Sequence, residues 1–510
     1  MARSIYLVNP AADSATYYGA ELLAGSGLPS GTAVADLAAV TIAALAPSDF
    51  EVAIGDENIA PIDFDHPAEW IGITGKVNQR RRMRAIADEF HRRGKRVIIG
   101  GPYASLSPEA MRPHCDVLVR GEAEEIGAGL FADLRSGRVR DEYVGDKPDL
   151  ALSPLPRWDL YANQRALIGT LQTSRGCPFE CEFCDVIQYL GRKQRHKPIA
   201  NVLAELDQLY RHGYQTIFLA DDNFTAYRRR CKELLEAVAW WRREHQANFV
   251  TQVSVDAARD PELLDMCAEA GLIQVFIGIE TTNEESLRET KKRQNLHVDL
   301  AEQVQLFIDH GISVMAGMIA GFDADGPDVF RQQYEFAMST AVPIFSISAL
   351  VAPDATPLHA RLARDGRLIQ DGDAVEGVPW DSNIRPQKMS AEELSDGLRR
   401  LCNAIYAPEA FGERTLRFIE RFGRARRGAV PGTFNGAPAR AIDAQALQVA
   451  LDVRRLGDAE SRMWQQIWSA VSRRPEVAPF VTRILFQYAQ IRFMFRQQDY
   501  WDPQLARTLN

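Results

Sequence analysis

The sequence predicts an α/β protein in three parts: a Rossmann-like domain over 1–130, a partial (β/α)6 barrel over 166–384, and a helical C-terminal domain over 385–510, with a linker at 131–165. Three observations carry that reading. Short apolar runs alternate with helix-length stretches twice along the chain, the pattern of parallel sheets covered by helices. Between the two alternations, KPDLALSPLPRWDL has prolines at irregular spacing and no period, as a connecting segment does. Beyond about residue 385 the strand-like runs stop and helical patterning takes over.

In the first part the expected strands are IYLVN (5–9), EVAIG (51–55), WIGIT (70–74), RVIIG (96–100) and DVLVR (116–120), with the charged stretch NQRRRMRAIADEFHRRG as the helix between the third and fourth. In the second, IGTLQTS (168–174), TIFLAD (216–221), FVTQVSV (249–255), IQVFIGIE (273–280), ISVMAGMI (312–319) and IFSISAL (344–350) are each followed by a helix-length segment. Six such units make an open barrel, whose chemistry belongs where strands end and loops begin. The last part has a Gly/Ala-rich interruption at 422–437 and an aromatic-rich end, SRMWQQIWSAV and RILFQYAQIRFMF. Those aromatics read as the core of a helical cap, or alternatively as a substrate wall.

A chain of 510 residues with 46% hydrophobic and 25% charged residues has the length of two to four domains and needs no disulfide staples. Its net charge of −9 argues against a dedicated nucleic-acid binder, and the basic clusters at 80–84 and 228–230 read as solvated helix faces. No run reaches the ~18 apolar residues of a membrane span, so a cytoplasmic protein is expected. The cysteines number seven, an odd count that points to thiols used as ligands or nucleophiles.

Three of them crowd into SRGCPFECEFC (174–184): Cys177, Cys181 and Cys184. In a random arrangement this spacing would arise on the order of 10⁻³ times per chain. Structural zinc needs a fourth ligand, which here would have to be His196, Cys231, Cys267 or Cys402. A cubane iron–sulfur cluster held by three thiolates instead leaves one iron free for a further ligand.

GCPFECEFC resembles the signature of the radical S-adenosylmethionine (SAM) superfamily, in which the free iron chelates the amino and carboxylate groups of SAM. The resemblance implies a 4Fe-4S cluster on Cys177, Cys181 and Cys184, and reductive cleavage of SAM to a 5′-deoxyadenosyl radical. It further implies SAM contacts along the barrel's rim. Phe183 is placed beside the adenine, and Asp221, Asp222 and Asn223 near the methionine amino group, although Asp222 or Asn223 also suits a helix N-cap. Ser254 and Asp256 are implied for the carboxylate and ribose, Glu280 for the ribose diol, and the backbone around Gly317, Met318, Ile319 and Gly321 for adenine.

The first domain has no GxGxxG, which disfavours NAD. An open sheet binds ligands beyond the carboxyl ends of its strands. With the barrel that follows, the loops there resemble the cobalamin-binding domain of cobalamin-dependent radical SAM enzymes. That resemblance implies contacts from Asn9 and Pro10, from Thr74, Gly75, Lys76, Val77 and Asn78 under the corrin, from Gly100, Gly101, Pro102 and Tyr103, and from Gly121, Glu122 and Glu124. Glu89–Gly94 mimics the D-x-H-x-x-G signature of a lower axial histidine, but His91 falls at the end of a helix rather than after the first strand, so it is read as a helix-terminal histidine.

The run SRGCPFECEFCDVIQYLGRKQRHK, with DDNF, VFIGIE and AGFDAD, is similar to the subgroup with a helical C-terminal domain of unknown function that includes the hopanoid C-2 methylase. Two departures, Thr225-Ala226-Tyr227 after DDNF and GGPYAS in place of GGPHAS, bear on the substrate. The expectation is a cobalamin-dependent radical SAM methylase of an unactivated carbon in a small molecule or lipid, served by a flavodoxin or ferredoxin. Tyr189 and Tyr227 are the candidates for quenching or deprotonating an intermediate. The alternatives are a cyclase or rearrangement enzyme of the same cofactors, and a non-catalytic cobalamin sensor with a structural metal.

Overall fold

The structure is a computed structural model, described over residues 4–369, 378–426 and 440–505. Strand β1 (Ser4–Asn9) opens the first sheet, whereas β2 (Thr32–Val34) leaves it for the second. The first sheet continues with β3 (Glu51–Asp56), β4 (Trp70–Thr74), β5 (Arg96–Gly100), β6 (Val117–Arg120) and β7 (Glu142–Val144). Its order is β3-β1-β4-β5-β6-β7 and every pair is parallel. Both faces carry a core: Val8, Ile71, Ile73 and Val97 pack with Met83 and Phe90 on one side, Ile5, Leu7 and Ile98 with Phe131 on the other. Counted within this sheet, the strand order reverses between β1 and β4, the switch point where open α/β sheets hold ligands.

The expected linker contributes more than a connection. A helix at Gly127–Ser136 crosses the expected domain boundary at 130, and β7 extends the sheet beside β6. Three residues are too few to show a period, so neither β7 nor β2 is visible in the pattern of residues.

The second sheet holds β8 (Ala166–Leu171), β11 (Thr216–Leu219), β12 (Asn248–Val253), β13 (Leu272–Glu280), β14 (Ser313–Ala320) and β15 (Ile344–Ala349), all six expected barrel strands. They run parallel in chain order, and β2 adds beyond β8. A short antiparallel pair, β9 (Ser174–Arg175) with β10 (Arg195–His196), projects from the end of β8. Along β11, β12, β13 and β15 buried residues alternate with partly open ones, among them Phe218, Gln252, Phe276, Gly278, Ser346 and Ser348. Helices cover the buried set, so the open set faces a chamber inside the half-barrel.

A half-barrel has two edges, and both are closed. On β15 the Tyr406 hydroxyl accepts from Phe345 N at 2.9 Å, and the Tyr17 hydroxyl donates to Ile347 O at 3.1 Å. On β8 the partner is β2. Residues 17–34 therefore span the open side from one edge strand to the other, protecting backbone groups that would otherwise seek another chain. The helix Ala478–Gln497 backs this segment: Gln490 accepts from Leu22 N at 3.2 Å and donates to Thr16 O at 2.9 Å. Of its aromatics, Phe480, Phe486, Tyr488 and Phe495 are buried in the core, with Tyr488 stacked on Phe411 at 4.2 Å. The interruption at 422–437 lies, from 427 onward, outside the described residues. Among the described residues no helix is long and apolar enough to cross a membrane.

Candidate functional site

The cysteine loop begins where β8 ends, and a buried aspartate fixes it there. Asp221, 1% exposed at the end of β11, accepts from Thr173 N at 2.7 Å and from the Ser174 hydroxyl at 2.6 Å. Burial pushes its carboxyl up and these donors hold it back. Asp221 thus shapes the turn before the motif, with both oxygens engaged by that turn. The neighbouring Asp222 accepts from Gly176 N at 2.8 Å. Gly176 has φ +95°, and a Cβ there would meet Lys193 O at 2.8 Å and Gly191 O at 2.9 Å, so only glycine lets the chain enter the loop.

The loop is held from several sides. Cys177 N donates to Gly191 O at 3.2 Å, Glu182 N to Thr290 O at 2.9 Å, and the Glu182 carboxylate accepts from Arg361 Nε at 2.9 Å. Burial pushes the Cys177 and Cys184 thiols up, Cys184 to about 12, and in each the Cys181 sulfur adds to the effect. Desolvated thiols such as those of Cys177 and Cys184 need a positively charged centre to stand as thiolates. The donor set fits an iron–sulfur cluster, whose corners separate the ligands rather than drawing them to one point. Among the described residues no group of His, Cys, Asp and Glu closes on a single metal ion. Of the zinc ligands considered, Cys231 and Cys267 interact with each other between two barrel helices, Cys402 lies against Tyr17 and Tyr500, and His196 packs edge-on to Tyr227 at 5.6 Å.

Around the loop the rim gathers several of the expected SAM residues. Burial raises Asp222 to about 7, and it lies within electrostatic range of Cys177. The Asn223 amide donates to the Ser254 hydroxyl at 2.8 Å. Phe183 and Ile319 pack into one apolar cluster with Phe322, Leu350 and Leu358. Glu280 has φ +64°, unusual for a non-glycine residue, at an irregularity in β13 between Gly278 and Glu280. Its carboxylate folds back over Gly278 to meet Lys292 Nζ at 2.6 Å. Backbone held in this region at a strand end is strain of the kind found at ligand sites.

Met318 pairs with Ile347 in register and both are 1% exposed, on the face away from the chamber, so only its backbone is available to a ligand there. Asp256 turns to Arg228, whose Nη2 donates to its carbonyl at 2.8 Å.

In the first domain the loops meet at the carboxyl ends of the strands. Gln79 Nε2 donates to Asn9 Oδ1 at 3.0 Å and its Oε1 accepts from Lys76 N at 2.8 Å, joining the loops after β1 and β4 at the switch point. Lys76 and Val77 stand exposed there and Asn78 O accepts from Asp13 N at 2.8 Å. Gly101 has φ +92°, and a Cβ on it would strike Thr74 Oγ1 at 2.6 Å; Tyr103 N donates to Gly75 O at 3.2 Å. Gly101 thus lets this loop, with Gly100 and Pro102, pack against the loop after β4. Pro10 accepts from Gln79 through its carbonyl.

Glu122 and Glu124, expected in a cofactor-embracing loop, are held by arginines of the barrel. Arg175 reaches Glu122 at 2.5 Å and Glu124 at 2.8 Å, and Arg195 reaches Glu122 at 2.5 Å. A buried carboxylate needs such a partner, and the barrel supplies it. Tyr189, beside them, donates to Gly121 O at 3.4 Å and so belongs to the domain junction. Tyr227 is 46% exposed. His91 ends the helix Arg80–Arg92 and meets Asp116 at 3.1 Å, as a helix-terminal histidine would.

The structure also adds residues that the sequence did not single out. Tyr18 is 48% exposed: its ring lies edge-on to Phe276 at 6.0 Å, and its hydroxyl bonds to Ser346 while desolvation raises its pKa. Lys292, Gln294 and Asn295 come from TKKRQN, a stretch that reads as a surface turn. Gln294 Nε2 lies 3.7 Å from the Cys181 sulfur, and Asn295 Nδ2 donates to Gly278 O at 3.0 Å and Ile279 O at 2.9 Å. The side-chain oxygens of Gln294 and Asn295 are buried without a protein partner.

Residues 171–336 match the radical SAM superfamily, and residues 356–498 match a domain of unknown function, DUF4070. The chain is 33% identical to an uncharacterized methyltransferase of Synechocystis, covering 86% of this chain and 83% of the relative. It is 31% identical to the hopanoid C-2 methylase of Rhodopseudomonas palustris, over 74% and 72%. Among solved structures, the radical SAM methyltransferase TsrM of Kitasatospora setae, with cobalamin and a [4Fe-4S] cluster bound, matches 72% of this chain and 75% of its own at TM-score 0.57 and 18% identity. The cobalamin-dependent radical enzyme OxsB matches 98% and 80% at TM-score 0.61 and 15% identity, so the likeness of fold includes the first sheet and the helical end. By its cysteine loop, its barrel and these relatives, the chain belongs to the radical SAM enzymes, in the group that contains the hopanoid C-2 methylase.

Proposed function

We propose that this enzyme is a cobalamin-dependent radical SAM methylase of an unactivated carbon in a small molecule or lipid. The observation that carries the reading is that the carboxyl edges of the two sheets face each other. Glu122, after β6, holds Arg175 and Arg195 beside the cysteine loop, and Ser107, in the loops after β5, donates to Asp354, after β15. Loops suited to a bulky cofactor and a rim suited to SAM therefore bound one chamber. When bound, the cluster with SAM supplies a substrate radical and cobalamin supplies the methyl group that the radical collects.

The chain's own part is placement and exclusion of water. Cys177, Cys181 and Cys184 hold the cluster, Asp222 and Asn223 offer acceptors to the methionine amino group of SAM, and the Ser254 hydroxyl offers a donor to its carboxylate. Phe183 and Ile319 offer an apolar bed for its adenine, and Glu280 an acceptor for its ribose. The loops of Asn9–Pro10, Thr74–Asn78 and Gly100–Tyr103 form the cradle for cobalamin, with Gly121 at its border. Residues 17–34 close the side of the chamber, which keeps a reactive intermediate from solvent.

A second reading has its own support: the chain is 28% identical, over 53% of its length, to the anaerobic magnesium-protoporphyrin IX monomethyl ester cyclase of Synechocystis. The test is anaerobic reconstitution with iron, sulfide and cobalamin, with SAM products followed by mass with and without extract of the producing cell. The methylase reading expects S-adenosylhomocysteine and 5′-deoxyadenosine to rise together with extract. Formation of 5′-deoxyadenosine alone favours the cyclase-type reaction, and intact SAM rejects both. A flavodoxin or ferredoxin is the proposed electron donor.

A further inference from the structure

The stretch Thr290–Asn295 forms a wall of the cysteine loop beyond the residues proposed to hold SAM and cobalamin. It follows a short helix, Glu284–Glu289, and its backbone is tied to the loop by Glu182 N donating to Thr290 O at 2.9 Å. From this wall Gln294, 8% exposed, points Nε2 at the Cys181 sulfur from 3.7 Å. Lys292 is held by Glu280 at 2.6 Å, and its ammonium is within electrostatic range of Cys181 and Cys184. Asn295 fixes the wall to the end of β13 through the Gly278 and Ile279 carbonyls.

Resting on the cluster assignment, we propose that Gln294, assisted by Lys292, sets the reduction potential of the cluster by giving an N–H to the Cys181 sulfur and positive charge to its surroundings. A low-potential flavin or iron–sulfur donor gives up one electron and the cluster passes from its 2+ to its 1+ state, with no bond made or broken at the protein. The added negative charge spreads onto the thiolates. An N–H donor and an ammonium facing those sulfurs stabilise the reduced form more than the oxidised one, which raises the potential. The Glu280 carboxylate keeps the Lys292 charge in place while reducing its net effect, so Gln294 carries the larger share. Both are positioning residues, since they act through the sulfur ligands.

The reconstituted, SAM-free protein tests this by a reductive titration followed by electron paramagnetic resonance. Gln294→Leu and Lys292→Met are each expected to lower the midpoint potential, and the double variant to lower it further, at an iron content equal to that of the unaltered protein. An unchanged midpoint in a fully loaded Gln294→Leu protein overturns the proposal. Should that variant fail to fold, the unaltered protein decides: with glutamine side chains labelled with 15N, the reduced cluster is expected to show a nitrogen coupling that Gln294→Glu abolishes. A loaded cluster without that coupling overturns the proposal while leaving the cluster assignment intact, whereas a preparation that binds no iron overturns both.

Discussion

The Glu122 carboxylate, 4% exposed at the edge of the first sheet, meets the Arg175 guanidinium two residues before Cys177, with Nη1 to Oε2 at 2.5 Å. One carboxylate thereby couples the proposed cofactor cradle to the cluster loop. Arg175 takes Glu124 as well, and Arg195 shares Glu122. Glu122→Ala leaves two arginines short of a partner in a desolvated junction, and breaking a buried pair in this way costs about 3–5 kcal/mol. Chemical denaturation is expected to show a loss of that order, with Glu122→Gln in between. A loss below about 1 kcal/mol, the range of exposed pairs, would mean that water reaches the junction.

Loading with iron separates the seven cysteines into two classes. Cys181→Ala is expected to lower the iron content and bring SAM cleavage to background. Cys231→Ala and Cys402→Ala, which lie in apolar cores, leave iron content unchanged and lower the melting temperature instead. Equal iron in Cys181→Ala and the unaltered protein sinks the assignment of the loop.

Closure of the chamber depends on one glutamine far along the chain. Gln490 holds residues 16–22 by two backbone hydrogen bonds, and Tyr18 stands on that segment facing Phe276 and Ser346. Gln490→Leu strands both backbone groups at a cost of roughly 1–3 kcal/mol each if water cannot reach them. The expected signature is faster hydrogen exchange over residues 16–25 and more SAM cleaved per product formed. Tyr18→Phe removes the bond to Ser346 alone and should shift the product ratio without faster exchange.

Stability against pH has an identifiable contributor at Glu289. Burial raises its carboxyl to about 7, although Asp323 N donates to it at 2.9 Å and works the other way. An acid whose pKa is higher folded than unfolded favours folding while it is protonated. That advantage is present below the unfolded value near 4.5 and is lost as pH rises through about 7. Glu289→Gln is expected to flatten the fall in melting temperature between about pH 4.5 and 7. An identical slope in both proteins would assign the fall to other groups.

Much of the architecture was legible because periodicity and burial go together. All six barrel strands and the five longer strands of the first sheet appear as short apolar runs, since a parallel strand must be apolar on each face that helices cover. β2 and β7 escaped because a three-residue strand gets its identity from the edge it joins, not from its own pattern. At the site, the spacing of Cys177, Cys181 and Cys184 was readable since a cluster demands thiols in one tight loop. The arginine partner of Glu122 was not, because it comes from a domain 53 residues away in sequence.

The two parallel sheets, the helical end and the three-thiol loop are written in the order of the residues, because they follow from local spacing and the need to bury apolar surface. What surrounds that loop was settled by packing between distant segments. Residues 17–34 close the barrel, Arg175 and Arg195 bind the two halves together, and Gln294 comes to rest against a sulfur 113 positions earlier. Each of these is a polar contact between distant segments, formed because a buried donor or charge must find a partner wherever the packed chain places one.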